Sequence, residues 1–168
     1  MSHLQPPIFV LDTNVLIEAH QRYYSLDLCP GFWECLVHFC SESRVRSIDK
    51  VRDEIREGDD LAAWVKKAPS GFFASTADQS VIRCFQEIMD WVQNSREFND
   101  EATSSFANIA DGWVIAYAKA YGGIVVSHEG RKYKGRVPMP IICDHFSVPY
   151  KDTFAMLRDL KVRFVWLG

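Results

Sequence analysis

The chain has 168 residues, enough for one domain (residues 1–168) whose core supports itself without staples. Its 48% hydrophobic and 13% aromatic content is that of a globular protein, and no apolar run is long or clean enough to span a membrane. A net charge of −3 argues against bulk attraction to nucleic acid and leaves room for a local basic patch. Residues 1–7 lack the basic and apolar parts of a secretory signal. The five cysteines, at 29, 35, 40, 84 and 143, are odd in number and form no CxxC pair. They read as reduced, mostly buried thiols of a cytoplasmic protein rather than as a zinc site.

In chain order, residues 8–11 form an apolar run suited to a strand buried on both faces. It passes directly into Asp12-Thr13-Asn14 and a short helix through Val15, Leu16 and Ile17. Phe32, Leu36, Phe39 and Cys40 recur at helical spacing, so residues 32–41 are an amphipathic helix. Residues 44–48 read as a short strand, and Asp49 as the cap of a helix carrying Val51 and Ile55 and ended by Gly58. Asp59 or Asp60 caps a helix through Trp64 and Val65, and residues 72–74 are a short strand. Residues 78–93 are a strong helix with Val81, Phe85, Ile88 and Val92 on one face and Ile82, Met89 and Trp91 off it. So much apolar circumference needs cover on two sides, from a homodimer partner or from the helix at 60–67. Residues 109–121 are helical and end at Gly122-Gly123, and residues 124–127 are a second buried strand. A helix near 151–160 and a strand at 163–166 close the chain. Strands alternating with helices predict a three-layer α/β/α sandwich with a mostly parallel central sheet.

Four acids stand at telling places in that layout. Asp12 ends the first strand, where ligands collect at the carboxyl edge of a parallel sheet. It is also good capping chemistry. Glu54 borders the buried face set by Val51 and Ile55, and together with Asp53 it also suits a solvated helix face. Asp111 opens an otherwise apolar helix, where it could equally answer the helix dipole behind Asn108 as cap. Glu129 follows the second buried strand by two residues, in a loop that commonly faces solvent.

The order of these features resembles the PIN-domain family of ribonucleases over nearly the whole chain: a strand running into Asp12-Thr13-Asn14, a mid-chain helical Glu54, a late helix beginning Asp111-Gly112-Trp113, and a strand ending at Ser127-His128-Glu129. The resemblance implies that Asp12, Glu54, Asp111 and Glu129 surround a divalent metal, Mg²⁺ or Mn²⁺, and that Asn14 and Ser127 orient the acids. The last acidic position is more often Asp, or lies slightly further along, in that family. Residues 23–33 and 154–160 look like a less-studied bacterial branch. Many relatives are toxins of VapBC-type toxin–antitoxin pairs, which implies a small antitoxin protein as a partner, and homodimers are common.

The chemistry points the same way without the name. Two carboxylates about 4 Å apart repel by roughly 4 kcal/mol at an effective dielectric of 20. Converging acids therefore need raised pKa values or a cation. Carboxylates without His or Cys partners favour Mg²⁺ or Mn²⁺ over zinc. Such an ion suits phosphodiester hydrolysis, and the sequence offers no convincing protein nucleophile. Arg131, Lys132, Lys134 and Arg136 lie just after Glu129 and suit an RNA backbone, with Tyr133 as a stacking platform for an unpaired base. The same residues also make a solubilising loop. Arg52 and Arg56 flank Glu54. His128 reads as a local hydrogen-bonder, and Trp33, Trp64, Trp91 and Trp113 as core or subunit contacts. Two other functions stay open. One is a non-catalytic module that binds RNA or protein. The other is a haloacid-dehalogenase-like phosphatase with Asp12 as nucleophile, which lacks a second acid where the chain has Asn14.

Overall fold

Why the chain makes a parallel sheet is visible in its apolar runs. The computed structural model describes residues 5–55 and 58–168. Among these, β1 (Phe9–Leu11), β2 (Val45–Ile48), β3 (Phe73–Ala74), β4 (Ile124–Val126) and β5 (Tyr150–Lys151) form one sheet in the order β3-β2-β1-β4-β5. Every pairing is parallel, with Phe9 opposite both Val45 and Ile124. β1 is central and every residue in it is at most 2% exposed. β4 is buried throughout.

The connecting segments are helical: α1 (Thr13–Glu18), extended by a π-helical turn at Ala19–Tyr23, then α2 (Pro30–Ser41), α3 (Asp49–Glu54), α4 (Asp60–Lys67), α5 (Gln79–Asn94), α6 (Asp100–Ala107), α7 (Asp111–Tyr121), α8 (Met139–His145) and α9 (Thr153–Asp159). Short side-chain oxygens start several of them by accepting bonds from first-turn N–H groups. Asp59 serves α4, Asp78 serves α5, Asn99 serves α6 and Asp152 serves α9. Helices cover both faces of the sheet, completing a three-layer α/β/α sandwich around one continuous core. α7 lies across β1, β2 and β4, and α5 packs on α7.

The path of the chain positions the site. From β1 it moves outward to β2 and β3, then returns through α5, α6 and α7 to β4 on the other flank of β1. The reversal leaves a crevice at the carboxyl ends of β1 and β4, the usual ligand position in such sheets. The return is tight. Gly122 ends α7 in the left-handed region at φ 64°, which favours glycine. A Cβ on Gly123 would lie 2.9 Å from the Ile8 carbonyl oxygen, the acceptor for the Ile124 N–H.

Several expectations need correction. Asp49 does not cap α3. It sits in the first turn, where its carboxylate accepts bonds from Thr76 N (3.1 Å) and Thr76 Oγ1 (2.8 Å), two donors from a neighbouring loop that outcompete the helix end. α3 stops at Glu54 rather than at Gly58. Arg56 lies outside the described residues. Residues 163–166 are not a strand. β5 already occupies the edge beside β4, and a short apolar run alone supplies no pairing partner. Phe164 instead rests 5.5 Å from the Tyr24 ring. Of the apolar residues off the α5 stripe, Met89 is buried and Trp91 half-buried within the chain, while Ile82 is 37% exposed. Phe85 stacks on Trp113, and Trp91 stacks on His145 beside Phe98 and Phe146. All five cysteines are unpaired, with Cys40 and Cys143 buried. Among the described residues no helix is long and apolar enough to cross a membrane.

Gly123→Ala is expected to lower the melting temperature, because its methyl group would press on the β1 backbone, at a cost on the order of 1–3 kcal/mol. Gly130→Ala, whose added Cβ meets nothing within 4 Å, should leave it unchanged. Thermal unfolding of the two variants checks the contrast.

Candidate functional site

Asp12 is where β1 becomes α1. Its extended backbone places one carboxylate oxygen on the Thr13 N–H at 2.7 Å, which caps the helix. The other oxygen accepts from Ser127 Oγ at 2.9 Å, across the crevice at the end of β4. Asp12 is 3% exposed.

Ser127 is the hinge of this corner. Its Oγ accepts from the Glu129 N–H at 3.2 Å, and its single proton is shared between Asp12 Oδ2 and Asn14 Oδ1, the latter at 3.2 Å. Asn14 Oδ1 also accepts from the His128 N–H at 3.2 Å. Asn14 and Ser127 thus tie the turn after β4 to the start of α1. Tyr150 reinforces the turn by donating its hydroxyl to the carbonyls of Ser127 and Glu129.

The other three acids arrive from three further elements. Glu54, the last residue of α3, accepts from the Thr13 hydroxyl with one oxygen and from the Ala110 N–H at 2.8 Å with the other. It therefore caps the amino end of α7, a task predicted for Asn108, which instead ends α6. Asp111 is the first residue of α7 and 6% exposed. Glu129 Oε2 accepts from the Met139 N–H at 3.0 Å, at the start of α8. Asp12, Glu54, Asp111 and Glu129 line one cleft of about 260 Å³, together with Thr13, Asn14, Ile17, Ile109 and Arg136. Among the described residues no group of three His, Cys, Asp or Glu side chains is drawn together closely enough to hold a metal ion as it lies. The acids share a cleft, each anchored by its own protein donors.

Their charges are poorly compensated. Burial lifts the Asp12 carboxyl from 3.8 to about 7, and the charges of Glu129 and Glu54 add to the rise against the bonds from Ser127 and Thr13. Burial also lifts Asp111 to about 8, helped by Asp12 and Glu129. Glu129 is raised by burial, opposed by the Met139 N–H and Arg136. The countercharge is Arg136, whose Nη2 lies 3.8 Å from Asp111 Oδ2 and 3.9 Å from Glu129 Oε1.

That position corrects the expected basic rim. Arg136 reaches into the acidic cleft itself. Lys132 and Lys134 line an adjoining cleft of about 560 Å³ with Gly130, Arg131 and Pro138, sharing Glu129 and Arg136 as a wall with the acidic one. Arg131 is ion-paired with Asp144. Tyr133 lines neither cleft, because its ring turns to Phe98, 5.8 Å away. The His128 ring bonds Thr153 Oγ1 at 2.8 Å and is not part of the cleft lining. Sequence reasoning missed Thr13, Tyr150 and the Ala110 and Met139 amides. Only Thr13, inside the Asp-Thr-Asn run, carried a local signal.

The chain belongs to a family described only as a domain of unknown function (DUF4411), whose profile matches residues 9–164. No curated protein matches it.

Raised acid pKa values fix the sign of a pH effect. A carboxyl whose pKa is higher folded than unfolded contributes stability that is complete below its unfolded value and lost as pH rises through the folded one. Without divalent ions the protein should therefore lose stability between about pH 4 and pH 8 through Asp12 and Asp111. Asp12→Asn keeps the Thr13 bond, and its amide can donate to Ser127 Oγ, so the fold should survive. Its stability should fall less steeply over that range, by about 1.4 kcal/mol for each unit of pKa shift removed. Denaturation at pH 5 and pH 8 in both proteins measures this, and identical slopes would contradict the assignment.

Proposed function

We propose that the protein is a metal-dependent endoribonuclease, hydrolysing RNA phosphodiester bonds at the cleft of Asp12, Glu54, Asp111 and Glu129 with Mg²⁺ or Mn²⁺. One observation carries the reading: four carboxylates from four separate elements line a single cleft at the crevice between β1 and β4, with one guanidinium as countercharge. Two of these acids are buried against their own charge, an arrangement that costs stability and that a cation relieves.

The donor set fits such an ion. It consists of hard carboxylate oxygens with no imidazole or thiolate among the lining residues, and a hydrated Mg²⁺ keeps several waters and asks for few protein ligands. Asp12 and Asp111 would hold it, with Glu129 and Glu54 at the walls. When bound, the ion supplies positive charge to phosphate oxygens and makes water more acidic.

The remaining work belongs to the chain. Ser127 and the Thr13 N–H fix Asp12 in one orientation, while Thr13 and the Ala110 N–H do the same for Glu54. Arg136 stands where it can leave Asp111 and Glu129 for a phosphate oxygen once those carboxylates are otherwise compensated. Lys132 and Lys134 extend the positive surface away from the acids. The phosphatase reading loses ground on the same geometry. Both oxygens of Asp12 accept hydrogen bonds and the residue is 3% exposed, which suits an anchored ligand better than an attacking nucleophile.

The test is cleavage of a single-stranded RNA by the purified protein. Mg²⁺ or Mn²⁺ should support cutting and EDTA should stop it. Asp12→Asn and Asp111→Asn should each reduce the rate by about two orders of magnitude or more while leaving the protein folded. RNA bound by the wild type yet uncut in either ion would favour the non-catalytic module.

A further inference from the structure

The acidic cleft has a neighbour on each of two sides. One is the basic-loop cleft, which shares Glu129 and Arg136 with it. The other, about 370 Å³, shares Glu54 and Ile109 with it and is lined further by Lys50, Asp53, Asn108 and Trp113. Lys50 Nζ stands over the Trp113 ring, 5.3 Å from its centroid. Phe85 stacks on the same indole at 3.7 Å and 6°. A ring stacked this closely fills one face of Trp113, which leaves the other as the face an ammonium can approach. Among the described residues the Lys50 ammonium is held by that ring and by no carboxylate.

An enzyme that cuts within a strand must hold chain on both sides of the scissile phosphate. The acids repel that chain, so each side needs a cation close to the cleft. The basic loop supplies one side. Beyond Glu54 the cation is Lys50, and it stands on an aromatic ring. An ammonium over an aromatic face is held by a modest electrostatic attraction and is readily exchanged for a phosphate. Its departure frees the indole face for a base, and stacking on an aromatic ring is available to any unpaired base.

Resting on the nuclease reading above, we propose that the Lys50–Trp113 cleft is the second strand subsite. It takes an unpaired nucleotide on the side of the cleavage point opposite the basic loop, with Lys50 on its phosphate and Trp113 under its base. The subsite selects single-stranded or looped RNA, because a base within a duplex is already stacked and cannot be offered to the indole. Sequence reading placed Trp113 among core or subunit contacts and gave Lys50 no role. Only the fold sets α3 and α7 side by side, with Glu54 accepting the Ala110 N–H between them.

The test is binding of a labelled single-stranded oligoribonucleotide by fluorescence anisotropy across a salt series, with EDTA present so that nothing is cut. Lys50→Ala should weaken binding roughly fivefold at low salt and make the slope of log affinity against log salt shallower by about 0.7, the loss of one phosphate contact on a single strand. Lys50→Arg should keep both values. RNA should quench tryptophan fluorescence in the wild type, and Trp113→Phe, which keeps a ring against Phe85, should lose most of that quenching. Suppose instead that Lys50→Ala binds with unchanged affinity and slope, while joint replacement of Lys132 and Lys134 by Ala weakens binding. The subsite is then wrong and the nuclease reading stands. A wild type that neither binds RNA nor cuts it with Mn²⁺ overturns both.

Discussion

Parallel pairing of β1 with β4 is the constraint from which the site descends. The two strands are far apart in sequence, yet Leu11 lies opposite Val126, and the Asp12 N–H continues the ladder to the Val126 carbonyl at 3.0 Å. The next residue on each strand is therefore fixed beside the other: Asp12 against Ser127, with Asn14 and Glu129 following within bonding reach of the same hydroxyl. A slip of one residue would turn Asp12 to the other face of the sheet and break the corner. Gly123 is part of the same constraint, since it lets β4 enter close enough to β1 for this register.

Electrostatics then sets what the corner can be. Burying Asp12 and Asp111 near Glu129 costs free energy, and the structure offsets only part of that cost with local donors and Arg136. A site arranged only for stability would place an apolar side chain at one of these positions. Glu54 shows how structural and functional duties coincide. By accepting the Thr13 hydroxyl and the Ala110 N–H it joins α1, α3 and α7, so removing it would loosen the site and the packing together. Asp12, which keeps its cap as Asn, separates the two effects more cleanly.

The sequence was most legible where one physical signal dominated. The apolar runs before Asp12 and before Ser127 marked β1 and β4, and the periodic residues from Val81 to Val92 marked α5. Asn99 followed by two acids was a capping signal for α6 that went unread, and α8 was hidden by the prolines at 138 and 140. Residues 163–166 misled because a short apolar run does not say whether a sheet edge is open. Within the site, Asp12, Asp111 and Glu129 stood at strand ends and a helix start, but it was the family resemblance that gave these acids, Glu54, Asn14 and Ser127 their roles. The place of Arg136 could not be read, since the distance a long side chain reaches back depends on the path of the loop. Nor could the direction of the Tyr133 ring, which turns toward Phe98 and lines neither cleft.

The proposed function requires the four acids to bind one or more divalent cations. Titration of the metal-free protein with Mn²⁺, followed by the electron paramagnetic resonance signal of the free ion, tests it directly. The free-ion signal should be lost saturably on the wild type and little on Asp111→Asn at the same protein concentration. A free-ion signal that rises with added Mn²⁺ as if no protein were present would contradict it.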